Sequence, residues 1–183
     1  MATYFIADLH FGHKNILSYD NRPFMTIEEH DAELIRRWNS VVEEKDDVWV
    51  LGDVSWYSVD KTIEVIKQLK GRKHLCVGNH DAKFISYPDF CKLFVEIVDY
   101  KELDLKDNVH IVLSHYPIPC FKNHFYGWYH LYGHVHNSFE SRMMEHIKLE
   151  MEQLYGATCE MYNVGCMMPE MDYTPRQLYE IID

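Results

Sequence analysis

Short apolar runs that alternate with helix-periodic segments are the feature of this sequence that most restricts its fold. Five such runs occupy residues 4–7, 48–51, 74–77, 109–113 and 129–132. Amphipathic helical periodicity fills much of the chain between the early runs. This alternation predicts an α/β fold. With 183 residues, 47% of them hydrophobic, the chain can bury one sizeable core, and we predict a single domain over residues 1–183.

Capping signals predict where two of the helices begin. Thr26 and Glu29 have the spacing of a capping box, which predicts a helix from there to about Val42. Ser58 is a suitable N-cap for a second helix, and Gly71 stands just past the expected end of that helix.

The C-terminal half has a less regular pattern. Residues 94–105 predict one or two strands with a turn, and residues 138–155 predict an amphipathic helix with a Met-rich stripe. That stripe could be a partner surface, although packing against the sheet accounts for it better. A strand near residues 160–164 and a helix opened by Thr174 and Pro175 complete the expected order.

Composition restricts the partners and the compartment. The 18 basic and 29 acidic side chains give a net charge of −11, which disfavours binding to long nucleic acids. No apolar run is long enough to cross a bilayer, and no signal-type segment opens the chain, so we expect a soluble protein without a membrane partner. The five cysteines form no Cys-x-x-Cys pair, which fits a reducing cytoplasm.

Candidate metal ligands follow all five of these apolar runs. In chain order, the polar residues after the runs are Asp8, His10, Asp53, Asn79, His80, Asp81, His115, His134 and His136. Ligands of α/β sheets bind in the crevice outside the strand ends, so these side chains should converge. Carboxylate, imidazole and amide groups without a thiolate suit Mn, Fe, Ni or Zn in a reactive site better than a structural zinc site.

The order of these motifs resembles the calcineurin-like metallophosphoesterases. The resemblance rests on Asp-x-His at residues 8–10, Gly-Asp at 52–53, Gly-Asn-His-Asp at 78–81, His115, and Gly-His-x-His at 133–136. It implies two packed, mixed β-sheets flanked by helices, in an α/β (α+β-type) four-layer sandwich. This signature is highly specific for the superfamily and says little about the substrate.

The resemblance also implies a role for each motif residue. Asp8, His10 and His136 would hold one divalent metal ion, Asn79, His115 and His134 would hold a second, and Asp53 would bridge them. Manganese is the favoured metal among Mn, Fe, Ni and Zn. A hydroxide shared by the two ions would attack phosphorus in line. His80 would protonate the leaving oxygen or stabilise its charge, with Asp81 orienting the imidazole.

Residues next to the motifs are candidates for substrate contact. His13 and Asn15 follow the first ligand loop and could face the phosphate, and Arg22 could clamp it or be a solvated loop charge. The aromatic segment 121–132 could form a wall for a nucleobase or aryl group, although packing at the rim and core explains it better.

The leading hypothesis is a metal-dependent phosphoesterase that hydrolyses a small phosphodiester or phosphomonoester. Diesters are favoured because a chain of this length leaves little room for a capping domain over the site. A protein Ser/Thr phosphatase is the second hypothesis, although such relatives place additional arginines around the phosphate. A non-catalytic metal-binding scaffold of the same fold is the third. The sequence leaves the physiological substrate and the oligomeric state open.

Overall fold

A parallel four-stranded sheet forms the first half of the computed structural model, which describes residues 1–182. Its strands, in spatial order, are β1 (Thr3–Ile6), β2 (Asp47–Val50), β3 (Arg72–Cys76) and β4 (Phe94–Val98). All three strand pairings are parallel. Parallel sheets are covered on both faces, which explains why β1 and β2 read as nearly continuous apolar runs.

The second sheet is mixed. Its strands, in spatial order, are β5 (Tyr100–Asp104), β6 (His110–Ser114), β7 (Tyr129–Tyr132) and β8 (Met161–Asn163). β5 is antiparallel to β6, and the other two pairings are parallel. Residues 94–105 therefore form two strands, but the chain passes from one sheet to the other at Asp99, and the two strands do not form a hairpin. The predicted two-sheet α/β fold is confirmed.

Helices connect and flank the strands. They are α1 (Ile16–Tyr19), α2 (Ile27–Val41), α3 (Val59–Ile66), α4 (Pro88–Cys91), α5 (Phe139–Tyr155) and α6 (Leu178–Ile182), with 3₁₀ turns at Lys106–Asn108 and His124–Tyr126. Both predicted N-caps are confirmed: Glu29 N donates to Thr26 Oγ1 at 3.2 Å, and Lys61 N donates to Ser58 Oγ at 3.4 Å. Among residues 1–182, no helix combines the length and apolar character needed to cross a membrane.

Two predicted helix boundaries differ from the structure. α3 ends at Ile66, and Gly71 instead leads into β3 with a φ of +86°. The last helix begins at Leu178 and not at Thr174, because Arg176 forms an antiparallel bridge with Phe5. Phe5 N donates to Arg176 O at 2.8 Å, so the backbone of this segment is extended where a helix was expected.

The hydrophobic core joins the two sheets. Ile111 and Leu113 of β6 and Leu131 of β7 pack in one cluster with the first sheet, whereas Val112 and Tyr132 face a smaller cluster beneath α5. This division follows from the alternation of side chains along a strand.

The Met-rich stripe of α5 packs only in part. Met151 is buried and Ile147 is half-buried against the cluster beneath α5, whereas Phe139, Met143 and Leu154 are exposed. The prediction that this stripe packs on the sheet therefore holds for its inner turns only.

Candidate metal centre

Loops from both sheets meet at one crevice. Asp8 and His10 follow β1, Asp53 follows β2, Asn79 follows β3, His115 follows β6, and His134 and His136 follow β7. All these loops leave the carboxyl ends of their strands, the edge at which α/β folds bind ligands. The predicted convergence of the motif residues is therefore present in the structure.

Several of these residues have left-handed backbone conformations. The φ angles are 56° for Asp8, 51° for His10, 56° for Asp53, 70° for His134 and 48° for His136. A left-handed conformation costs a residue with a side chain about 1–2 kcal/mol. Such outliers cluster at functional sites, where the surrounding structure holds them in place. Five in one crevice mark this edge of the sheets as the functional one.

The first group of donor atoms comprises Asp8, His10, Asp53 and His136. One atom from each lies within 4.8 Å of the others. His10 Nε2 is 3.2 Å from His136 Nε2 and 3.6 Å from Asp53 Oδ2, and His136 Nε2 is 3.8 Å from Asp8 Oδ1. Two imidazoles and two carboxylates aimed at a common point form a donor set suited to a divalent cation.

A second group lies on the other side of Asp53. Asn79 Oδ1 is 3.0 Å from both His115 Nε2 and His134 Nδ1, and Asp53 Oδ1 is 3.6 Å from His115 Nε2. Asp53 thus turns Oδ2 towards the first group and Oδ1 towards the second. This is the arrangement that a carboxylate shared by two cations requires.

The protonation pattern of the histidines also fits metal binding. His115 Nδ1 donates to Leu51 O at 2.8 Å, which leaves the lone pair of Nε2 facing the centre. His136 Nδ1 donates to both carboxylate oxygens of Asp20, at 2.8 and 2.9 Å, with the same consequence for its Nε2. The donor set and these fixed tautomers therefore fit divalent metal ions.

The electrostatics of the crevice also favour a bound cation. Burial raises the pKa of Asp8. Burial, together with the neighbouring His136, holds the pKa of His10 well below its ordinary value. Burial also lowers the pKa of His136, but the hydrogen bond to Asp20 and the charge of Asp8 outweigh it, so the pKa is raised on balance. Buried carboxylates beside His10, whose imidazole is kept neutral by burial, form a site that a cation stabilises.

Close approach of the loops depends on glycine. A Cβ on Gly78 would lie 2.4 Å from Asp53 Oδ1, and a Cβ on Gly52 would lie 2.4 Å from His115 Nδ1. Gly52 also has a φ of +86°, which side chains disfavour. Both positions therefore need glycine if the donor atoms are to keep these distances.

His80 stands beside the donor groups. Its Nε2 is 3.8 Å from Asp53 Oδ2, and its backbone N–H donates to Asp53 Oδ1 at 3.0 Å. The imidazole lies edge-on to Trp56, with ring centroids 4.3 Å apart, and its side chain is 36% exposed. The ring is thus accessible from the crevice.

Asp81 does not orient the His80 ring as expected. Its buried carboxylate accepts backbone N–H groups from Asp53 at 2.8 Å, Gly78 at 2.9 Å and Val54 at 3.0 Å. These bonds hold the loop after β2 against the loop after β3. Asp81 therefore supports the backbone around Asp53, in place of the expected role of orienting the His80 imidazole.

A cavity of about 760 Å³ opens over the centre. Its lining includes His10, His13, Lys14, Asn15, Tyr19, Asp20, Trp56, His80, His134, His136 and Glu140. His13 and Asn15, which were predicted to face the phosphate, both line this cavity. The ring of His13 stacks on Trp56 with centroids 4.1 Å apart and planes 9° apart.

Arg22 lies behind the crevice, outside the cavity lining. Its side chain is buried, and its guanidinium donates to Asp8 O at 2.9 Å, Leu9 O at 3.2 Å and Asp20 Oδ2 at 2.9 Å. With its donors occupied by the protein, this arginine is not positioned to clamp a phosphate or to act as a solvated loop charge.

The aromatic segment 121–132 also lies away from the cavity. All of its residues are described by the structure, and none is among those lining the cavity. Phe121 and Tyr132 pack in the cluster beneath α5, and Trp128 stacks on His110 with centroids 4.7 Å apart. Packing, and not a wall for a nucleobase, is the role that these contacts give the segment.

Two site residues escaped the sequence reasoning. Asp20 orients His136, and Trp56 contacts both His13 and His80. Trp56 stands three residues after Asp53 in the same loop, a position that could have marked it as a neighbour of the centre. Asp20 carried no comparable signal, because its contact with His136 joins segments 116 residues apart.

Comparisons with known proteins agree with this geometry. A model of the calcineurin-like phosphoesterase family matches residues 1–152. An uncharacterized protein of Methanocaldococcus jannaschii is 36% identical over 135 residues, covering 73% of this chain and 68% of that protein. The gene 66 protein of Mycobacterium phage L5 is 45% identical over 82 residues, covering 43% of this chain and 39% of its own length. The crystal structure of a protein of unknown function from Aquifex aeolicus superposes with a TM-score of 0.63 at 26% identity, covering 97% of this chain and 96% of that one.

Proposed function

The chain belongs to the calcineurin-like phosphoesterases, and we propose that it hydrolyses a small phosphodiester or phosphomonoester with the help of two divalent metal ions. The observation that carries the proposal is the position of Asp53, whose two carboxylate oxygens face separate groups of donor atoms. Coordination of two ions on either side of one carboxylate is the arrangement of two-metal hydrolytic sites.

Each group of donors would hold one ion. Asp8, His10 and His136 would complete the first position with Asp53, and Asn79, His115 and His134 would complete the second with Asp53. When bound, such ions polarise phosphoryl oxygens and lower the pKa of water. We favour manganese, and the same donors suit Fe, Ni and Zn.

Residues outside the donor groups would handle the substrate. His80 would hold a proton at a ring nitrogen for the leaving oxygen, or stabilise its charge, because the ring is accessible from the crevice beside Asp53. His13 and Asn15 line the cavity next to the first group and would contact the phosphate. The stacking of His13 on Trp56 limits the orientations that the imidazole can adopt.

The shape of the site supports a small diester as the preferred substrate. A cavity of about 760 Å³ has room for substituents on both sides of a phosphate. Asp20 and Glu140 add negative charge to the lining, which disfavours a long polyanion. Burial of Arg22 leaves the cavity without the arginine clamp of a protein Ser/Thr phosphatase, so this second candidate becomes weaker.

Hydrolysis assays test the proposal. We would strip the purified protein of metal with a chelator, reconstitute it with Mn²⁺, and compare an aryl phosphodiester with the matching monoester. The proposal expects turnover of the diester that disappears in chelator and returns with Mn²⁺. Preference for the monoester would overturn the diester assignment. Absence of turnover on both, with two ions bound, would favour the non-catalytic scaffold.

A further inference from the structure

A buried hydrogen-bond network lies behind the first donor group. Arg22 has five N–H donors, and five acceptor contacts occupy them. Nε and Nη2 donate to Asp20 Oδ2 at 3.0 and 2.9 Å, Nη2 to Asp8 O at 2.9 Å, and Nη1 to Leu9 O at 3.2 Å and His30 Nε2 at 2.9 Å. The guanidinium is therefore fully satisfied and fixed in one orientation.

The network reaches two residues of the first donor group by different routes. Arg22 holds Asp8 directly through its backbone carbonyl, and it holds His136 through Asp20, whose carboxylate accepts from His136 Nδ1 at 2.8 Å. Asp8 and His136 come from different sheets, so this brace joins the two sheets at the site. We call Asp20 and Arg22 the brace.

The second donor group is supported differently. His115 is oriented by the backbone carbonyl of Leu51, at 2.8 Å from Nδ1. Asn79 Oδ1 lies 3.0 Å from each of the two histidines of its own group. Among the described residues, neither member of the brace has a hydrogen bond to this group. The brace therefore contacts the first metal position directly and reaches the second only through Asp8, whose carboxylate oxygens accept the His134 N–H at 3.0 and 3.1 Å.

We propose that the brace is a positioning pair that selectively sets the affinity of the first metal position. The inference rests on the metal binding in the proposed function. Asp20, as an acceptor, keeps the proton of His136 on Nδ1 and leaves the Nε2 lone pair free for a cation. Arg22 holds the Asp20 carboxylate in place through two hydrogen bonds to Oδ2. Partners that orient metal-binding histidines in this way typically change metal affinity by about 10–100-fold when they are replaced.

Asp20→Asn tests the brace with little change in shape. The asparagine amide has one acceptor oxygen and one NH₂ donor, whereas both Arg22 and His136 require an acceptor. Turned towards Arg22, the NH₂ meets another donor. Turned towards His136, it puts a donor in place of the acceptor Oδ1, which favours the proton on Nε2, where it blocks the metal lone pair. Arg22→Lys is the second variant, because an ammonium keeps the charge but has three donors for the four acceptor atoms that the guanidinium contacts.

The readout is calorimetric titration of the metal-free protein with MnCl₂, together with ¹⁵N NMR of the metal-free imidazoles. We expect one Mn²⁺ to bind about 10–100-fold more weakly in Asp20→Asn and Arg22→Lys, while the other ion keeps its wild-type affinity. We also expect the signal of His136 in Asp20→Asn to lose its Nδ1–H form. Asp89→Asn and Arg36→Lys make the same chemical changes in exposed ion pairs and should match the wild type.

Two results would overturn the proposed role of the brace. One is unchanged binding of both ions in Asp20→Asn, and the other is an equal loss at both positions, as general destabilisation would cause. A wild-type protein that binds fewer than two ions refutes the two-metal function itself, and the inference with it. If the wild type binds two ions and Asp20→Asn binds both with unchanged affinity, only the proposed role of the brace is refuted.

Discussion

His130 gives this fold a dependence on pH that can be measured apart from the metal centre. The side chain is fully buried in β7. Its Nδ1 donates to Val112 O at 3.0 Å, and its Nε2 accepts the backbone N–H of Ile118 at 3.0 Å. Because Ile118 N–H is only a donor, a proton on Nε2 would break that bond and place a charge in the core. The folded protein therefore holds this imidazole neutral.

The size of the effect follows from the pKa. Burial lowers the pKa of His130 from 6.5 to about 4. Between these values the unfolded chain binds a proton that the folded chain does not, so stability falls as pH drops below 6.5. From this single group, the free energy of unfolding should decrease by about 2 kcal/mol at pH 5 and about 3 kcal/mol at pH 4, relative to pH 7.5.

His130→Asn isolates this contribution. The asparagine amide can still donate to Val112 O, but it leaves Ile118 N–H without its acceptor, which costs about 1–3 kcal/mol at pH 7.5. The variant lacks the titrating group, so the difference from the wild type should shrink by about 3 kcal/mol as the pH falls to 4. The expected signature is a gap in stability that closes with acid, and that reverses in sign at pH 4 if it is smaller than about 3 kcal/mol at pH 7.5.

Urea denaturation in chelator, followed by circular dichroism at several pH values, measures the gap. His146→Asn removes an exposed histidine from α5 and serves as the control for loss of an imidazole. It should follow the wild type throughout. A gap between wild type and His130→Asn that stays constant, or widens, from pH 7.5 to 4 would refute the reasoning about His130.

Three further predictions concern the site. His80→Ala should lower kcat by about 10²–10⁴-fold while elemental analysis finds the wild-type metal content, and loss of metal would contradict a role outside the donor groups. Asp53→Asn should reduce both metal content and turnover, because each carboxylate oxygen faces one donor group; wild-type values of both would exclude the shared carboxylate. Asp81→Asn should destabilise the protein by about 1–3 kcal/mol in thermal or urea unfolding, since the two carboxylate oxygens accept from Asp53, Gly78 and Val54, and an amide would turn its NH₂ donor towards at least one of these N–H groups; unaltered stability would contradict this supporting role.

The sequence predicted those parts of the site that can be recognised from the neighbouring residues in the chain. Asp8, His10 and Asp53 follow apolar runs directly, and the position of a ligand at a strand end is a local property of the chain. The helix caps Thr26 and Ser58 were predictable for the same reason, since a cap acts within one turn.

Features that depend on contacts between distant segments could not be predicted in this way. The extended backbone at Arg176 is set by pairing with Phe5, which overrides the helical signal of Pro175. Arginine is a residue type that often clamps phosphate, but only the folded chain shows that the donors of Arg22 are already occupied. No local sequence signal marks Asp20, because its contact with His136 forms only when the loop after β7 packs beside it in the fold.

The backbone of the donor loops explains why the motif was nonetheless so informative. Five of the donor residues have positive φ values between 48° and 70°, in the sharp bends that turn side chains from a strand end into the crevice. Aspartate, asparagine and histidine are the residues with side chains that most often adopt this conformation. They are also the donors that a divalent cation prefers when no thiolate is used. Backbone and ligand chemistry therefore select the same residue types at the same positions. An alanine at such a position would lose the donor atom, and it would also lack the short polar side chain that makes a left-handed bend tolerable.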